Sequence, residues 1–306
     1  MTPAMGASRP AVGFAIPFAV CCAGVALFAV MDAAMKGLSL GIGLYNALFW
    51  RAVAGTLLGL ALMLLTRQRW PSRAVLRIHL LRGTVVAVMA GLFFWAIMRM
   101  PLAEAIALSF IAPLIALYLA ALLLKERIGR RAIGASLLGL VGVAVILSGR
   151  LQGRYDADAL LGAGAVLASA VLFAWNLIIQ RQQAQVASPI EVAFFQHLVM
   201  LGVFALGAPF LLALPPRPAV PLILLAAALA FTSLAALSWA YARAEAQRLI
   251  PVEYSAFVWA AILGWLVFDE RITLPTVAGA LLIVVACLIA SRTKWADLAH
   301  VEAGTA

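Results

Sequence analysis

Apolar residues in this chain neither alternate nor keep to one helical stripe; they come in unbroken runs separated by short clusters of Pro, Gly and charge. One run, RMPLAEAIALSFIAPLIALYLAALLLKERIGRR, opens on a Pro and a Glu and closes on a burst of charge. Between Leu102 and Leu124 its one ionisable side chain is Glu104, in the first turn. At about 1.5 Å per residue a helix of that length covers a hydrocarbon core of roughly 30 Å. The same test along the chain gives about ten spans, near residues 14–35, 44–65, 76–98, 102–124, 132–149, 159–180, 190–213, 219–242, 251–268 and 274–291. The pattern therefore predicts an all-α integral membrane protein with ten transmembrane helices. The joining loops are short and marked by Pro, as in Trp70-Pro71-Ser72 and Pro215-Pro216-Arg217-Pro218, which leaves no room for an extramembrane domain. The first apolar segment is too long for a signal-peptide core and carries no convincing small-residue cleavage pattern, so it reads as a retained first helix.

Composition agrees: 66% of the residues are hydrophobic and 11% charged, with a mean hydropathy of +1.08, more apolar surface than a soluble core needs. A net charge of +10 invites a nucleic-acid partner, but the placement of Lys and Arg argues for topology instead. With the N-terminus inside, fourteen of the 22 fall on the cytoplasmic side (Arg9, Arg67, Arg69, Arg73, Arg77 and Lys125 among them), six outside, and Arg51 and Arg82 within helices. The positive-inside rule then puts both termini in the cytoplasm of a multi-pass inner-membrane protein. Cys21, Cys22 and Cys287 lie inside apolar spans without metal-like spacing to the three histidines and read as core-filling thiols. No nucleophile elbow, phosphate loop or zinc pattern occurs, so neither an enzyme nor a cofactor is expected.

Lys125-Glu126-Arg127-Ile128 closes one apolar helix and Asp269-Glu270-Arg271-Ile272 another, 144 residues later. Each tetrapeptide is followed by a Gly-bearing apolar helix, and the offset carries Phe110 onto Tyr254 and Asp32 onto Asn176. The chain reads as two copies of five helices, residues 10–150 and 155–293. Five is odd, so the second copy enters the membrane inverted, as in alternating-access carriers.

These residues resemble the drug/metabolite transporter superfamily, in its EamA-type branch and more narrowly its YddG-type amino-acid exporters. The matching features are Met100-Pro101-Leu102-Ala103-Glu104-Ala105, Pro113, Leu124-Lys125-Glu126-Arg127 and Gly139, then Tyr254, Trp259, Gly264-Trp265, Phe268-Asp269-Glu270 and Gly279. The resemblance implies a central cavity formed mainly by the first four helices of each half, with the fifth and tenth at the periphery. It also implies export of amino acids or related small metabolites. Uptake of a polar metabolite such as S-adenosylmethionine or a nucleotide-linked compound is the alternative. The expected partners are a small-molecule substrate and membrane lipid, with no nucleic acid.

Ionisable groups deep in a span are costly, on the order of 2.5 to 3.5 kcal/mol at the bilayer centre, and so point to function. Asp32 can meet either Arg51 or Lys36, four residues on. His79 reads as interfacial or substrate-binding, and His197 as facing the bundle or as packing. Glu104, Glu126 and Glu270 are structural end-of-helix groups or gating contacts that break and reform. Trp95, Trp175, Asn176, Trp239, Tyr254 and Trp259 either pack singly or together wall a cavity with a few polar handles, to which Ser109 could add a hydroxyl. The candidate substrate-binding residues are thus His79, Trp95, Ser109, Trp175, Asn176, Trp239, Tyr254 and Trp259; Asp32, Arg51, Glu126 and Glu270 are the candidate gating or ion-pair residues. Gly55 and Gly59 make a GxxxG, and Gly134, Gly139 and Gly142 a second narrow face, which leaves monomer and homodimer both open. Since Asp32 is the one acid read as properly intramembrane, a facilitative carrier is expected.

The charge argument predicts the labelling of cysteines introduced into a thiol-blocked background. Pro216→Cys should react with an impermeant maleimide on intact cells, and Ser72→Cys and Ala184→Cys only after permeabilisation. The opposite pattern would reverse the topology.

Overall fold

Pro113 sets an unexpected boundary. Its ring removes one backbone donor and crowds the carbonyl four residues back, and the run from Leu102 to Leu124 accordingly forms two helices, not the one that its apolar character predicts. Leu102–Ser109 and Ala112–Leu124 meet at Phe110 and Ile111, whose amides bond three residues back to Ala107 and Leu108. The first piece is buried at every position from Leu102 to Leu108.

The computed structural model describes residues 15–124, 130–151, 157–184, 186–244, 249 and 252–303. Among these, every regular element is helical: α1 Ala15–Ile42, α2 Leu44–Leu65, α3 Arg73–Ile97, α4 Leu102–Ser109, α5 Ala112–Leu124, α6 Arg130–Leu151, α7 Ala157–Ala184, α8 Pro189–Ala205, α9 Ala208–Leu211, α10 Val220–Tyr241, α11 Ala256–Phe268 and α12 Leu274–Ala303, with one 3₁₀ turn at Arg217–Ala219. By length and composition 5 segments can cross a membrane, namely α1, α2, α3, Leu160–Gln180 of α7 and Arg217–Tyr241, and shorter apolar helices fill the other predicted spans.

Local chemistry explains the ends. Gly43, at φ 82°, joins α1 to α2 in a conformation that a side chain would strain. Ser72 and Ser188 cap α3 and α8 by accepting from the amides of Val75 and Glu191. The first helix runs seven residues past its expected end near 35, so Lys36 lies inside it and is buried, not in an outer loop.

Packing repeats at the 144-residue offset. The offset relates α1 to α7, α2 to α8, α3 to α10, α5 to α11 and α6 to α12. The packed pair α1–α10 is matched by α7–α3, α3–α8 by α10–α2, and α1–α11 by α7–α5, while α2–α8 and α6–α12 each pair a helix with its own counterpart. Phe110 and Tyr254, one offset apart, touch edge to face with centroids 5.1 Å apart. The glycines serve these internal contacts. A Cβ on Gly59 would lie 3.0 Å from the Phe194 backbone of α8, and one on Gly142 would lie 2.8 Å from the Gly279 carbonyl of α12.

Backbone cannot give way as a side-chain tip can, so Gly142→Leu should force α6 and α12 apart. Overpacking of this kind costs about 1–3 kcal/mol. Thermal unfolding in detergent should show a lowered midpoint and reduced monodisperse yield, while Gly134→Leu, where no atom lies within 4 Å of the added Cβ, should match the parent.

Candidate functional site

At the end of the bundle marked by the α1–α2 turn, a buried clamp joins the two halves. Lys36 forms an ion pair with Glu270, donates to the Met100 carbonyl at 2.9 Å and sits 5.2 Å from the Phe268 ring centroid. The second carboxylate oxygen of Glu270 accepts from the Leu102 amide at 2.8 Å. Pro101 offers α4 no capping side chain, so Glu270 supplies the missing acceptor and its charge complements the helix dipole. The chain reaches this position through a left-handed residue, Asp269 at φ 53°, with the Glu270 amide bonded to the Gly264 carbonyl at 3.0 Å. A Cβ on Gly264 would lie 2.7 Å from the carboxylate. Around the same rim Tyr45 bonds the Phe204 carbonyl, Trp50 donates to Ala213 at 2.9 Å, and the Ala213 amide donates to Asn46 at 2.9 Å.

The opposite end carries a buried relay across α3, α7 and α8. Arg82 donates through Nε to Asn176 at 2.9 Å and through Nη1 to the Gln183 carbonyl oxygen at 2.6 Å. The Gln183 amide nitrogen therefore faces His79 Nδ1, at 2.6 Å, as a donor, which leaves Nε2 to donate to Glu191 at 2.9 Å. The direction of every bond is fixed by its neighbour: guanidinium, amide, neutral imidazole, carboxylate. Such chains polarise one another. Phe195 stacks on the imidazole at 4.6 Å and 12°, fixing the ring plane.

Between these ends, at about 10–15 Å from the α1–α2 turn by helix rise, lies a third group. Asp32 of α1, Arg51 of α2 and His197 of α8 are all buried, and the charge of Arg51 acts on both of the others. Among the described residues Asp32 closes no direct ion pair with Arg51 or Lys36. His197 Nδ1 lies 2.8 Å from the Ala193 carbonyl, which only accepts, so Nδ1 carries the proton. Arg51 Nε and His197 Nε2 have no hydrogen-bond partner among the described residues.

The residues singled out in sequence divide accordingly. His79 and Asn176 come together, joined by Arg82, Gln183 and Glu191, as an interhelical brace. Glu270 and Lys36 meet in the clamp. Trp95 lines an open apolar recess of about 400 Å³ with Leu48, Leu92 and Phe204, and Arg99 stacks over its ring at 3.6 Å while donating to its carbonyl at 3.0 Å. Trp239 stands one offset away under Arg243, which stacks at 4.2 Å and donates to its carbonyl at 3.2 Å. Trp175 is 46% exposed, on a stripe with Leu161, Gly164, Ala168 and Val171, and Trp259 is 40% exposed beside Val258 and Ile262. Trp95, Trp175, Trp239 and Trp259 thus stand on four different helices, α3, α7, α10 and α11. Ser109 bonds its own helix at Ala105, and the buried Tyr254 hydroxyl lies against the Cys287 thiol. Glu126 lies outside the described residues.

Lys36, Arg82, Gln183 and Glu191 were not singled out as a site by sequence. Their signal was spacing: His79 and Arg82 three apart, Asn176 and Gln183 seven apart, each pair on one helical face.

The sequence pattern of the EamA-like transporter family matches residues 15–148 and again residues 160–292. The chain is 30% identical over 271 residues to the pseudopaline exporter CntI of Pseudomonas aeruginosa, covering 87% of this chain and 93% of that one. A riboflavin transporter of Vibrio cholerae is 29% identical over 224 residues, 71% of each chain, and an uncharacterized transporter of Helicobacter pylori 26% identical over 200 residues, 64% of this chain and 67% of that one. A solved crystal structure shares the fold, with a TM-score of 0.61 and 20% identity over 92% of this chain and 99% of that chain.

Breaking a buried ionic chain at one member strands the others, at a cost of about 3–5 kcal/mol. Arg82→Gln and Glu191→Gln should each lower the thermal midpoint in detergent by several degrees, and the double variant should lose clearly less than their sum. Additive losses would mean that the relay does not act as one unit.

Proposed function

Because the chain belongs to the EamA-like transporter family, we propose that it exports amino acids or related small metabolites across the inner membrane, by alternating access between two inverted five-helix repeats, with both termini cytoplasmic. The observation that carries this reading is the Lys36–Glu270 clamp. It fastens α1 and α4 of the first half to the end of α11 in the second, burying an ion pair that has to part if that end is to open. The exchange of helix pairs at the 144-residue offset supports the two-repeat architecture. The twin Trp–Arg stacks, one after α3 beside the clamp end and one after α10 at the relay end, support the inversion. The similarity to an exporter over nearly the whole of both chains supports the direction.

Transport is facilitative in this reading. Glu191 and Glu253 are engaged with His79 and Tyr241, and Asp32 is the acid that the sequence places within a span. A second reading, proton-coupled exchange, is favoured by the buried His79–Glu191 bond, which protonation of either group would rebuild.

Membrane vesicles holding the full chain and preloaded with labelled amino acids should release label faster than vesicles without it, with no imposed pH gradient. An added gradient should not concentrate the substrate. Equal retention of every tested amino acid would sink the exporter reading, and accumulation driven by a pH gradient and lost in His79→Gln would establish the second.

A further inference from the structure

A guanidinium kept in the middle of an apolar bundle is costly unless something meets its donors. Arg51 is 4% exposed, yet its Nε has no hydrogen-bond partner among the described residues. The nearest compensation is indirect: the ring of Phe94 lies 5.9 Å from its guanidinium carbon, and Asp32 acts through its charge without closing on it. Across from Arg51 stands an acceptor in the same condition. His197, 1% exposed, spends its Nδ1 proton on Ala193 and presents a bare Nε2.

Backbone geometry brings Arg51 and His197 to one place, and Asp32 lies within reach of the Arg51 charge. Gly55 follows Arg51 by one turn on the same face of α2, and a Cβ there would come within 2.6 Å of the imidazole Nε2. The absent side chain is what admits the ring of His197 to the level of Arg51. Phe231 closes the far side of that ring at 6.1 Å and 29°. The result is one strong donor, one carboxylate and one neutral acceptor, between aromatic walls, on three helices drawn from both halves of the chain.

We propose that Asp32, Arg51 and His197 bind the two charged ends of a zwitterionic solute of the α-amino acid class, the carboxylate on the Arg51 guanidinium and the ammonium between the Asp32 carboxylate and His197 Nε2. The inference rests on the transporter reading and assigns its substrate site. The complement of charges argues against a purely anionic cargo, which Asp32 would repel, and against a purely cationic one, which Arg51 would repel. A zwitterion satisfies all three groups at once and leaves its side chain to the apolar surroundings. Asp32 and Arg51 stay apart because each has a counter-charge to wait for; a closed ion pair would leave a neutral core with nothing to bind. Depth fits the role, since a site in mid-bundle lies between the clamp at one end and the relay at the other.

The test is a binding measurement that does not depend on turnover. The purified full chain in detergent is screened by thermal shift against the proteinogenic amino acids, and the amino acid of largest effect is compared with its decarboxylated amine and its deaminated acid. Both half-molecules should bind at least about 10-fold more weakly than the amino acid, the scale of one lost charge-assisted hydrogen bond. Arg51→Gln should weaken the amino acid and the acid by about 10- to 100-fold and leave the amine unchanged. Asp32→Asn should do the reverse, and Arg51→Lys should restore part of the loss. A merely structural role would weaken all three probes together. If Arg51→Gln is not monodisperse, Arg51→Lys and Asp32→Asn carry the same crossed comparison. The proposal is overturned if no amino acid shifts the parent chain, if the half-molecules bind as well as the whole, or if either variant weakens acid and amine alike. Binding with the crossed pattern but no vesicle release would retire the export reading and leave the site standing. Vesicle release with Arg51→Gln unaltered in KM would do the opposite.

Discussion

Hydrocarbon offers a charged side chain no partner, and that single deprivation organises the polar interior of this protein. A buried ion has to be met by another part of the chain or by a bound solute, and where a distant segment supplies the partner, the meeting fixes how helices sit. Lys36 and Glu270 are 234 residues apart in sequence; His79 and Glu191 are 112 apart. Apolar packing alone tolerates sliding of one helix along another, because one Leu replaces the next with little change. An ion pair flanked by hydrogen bonds to named carbonyls and amides tolerates none. The clamp and the relay therefore set register at the two ends, while glycines such as Gly59 and Gly142 set how closely the helices lie.

The same deprivation explains why so much of the fold was legible in sequence. Apolar runs announce helices because only a helix satisfies its backbone internally in that medium, and the spacing of two charged tetrapeptides announces the duplication. The break at Phe110 and Ile111 was written in Pro113, but the hydropathy of the run around it outweighed one residue. From sequence Lys36 reads as lying at the end of a span, because charge ordinarily ends one; the carboxylate that receives it stands in the other half, and no local pattern reveals a partner at that distance.

The polar clusters were less legible for a related reason. Depth along a helix is readable from sequence, whereas facing is readable only when neighbours break the monotony. The middle of α7 is largely apolar, so the exposed Trp175 and Asn176 against Arg82 look alike until the partners are known. His79 and Asn176 were both picked out for polarity in an apolar context, correctly as unusual residues, yet the glutamine and glutamate that complete their chain look like ordinary ends of helices. The unpartnered atoms of Arg51 and His197 are legible only in three dimensions, since an empty hydrogen-bond position leaves no mark on composition.

The Trp–Arg stacks of α3 and α10 carry one more consequence. They occur in matching register in both halves, so in the inverted-repeat reading an exchange of roles between the halves changes their contribution little. They are degenerate with respect to which arrangement the chain adopts. The clamp and the relay are not, because the offset carries Lys36 onto Gln180, and His79 and Arg82 onto Ile223 and Ala226. Whatever bias the molecule has at rest thus resides in the residues where the two halves ceased to be copies.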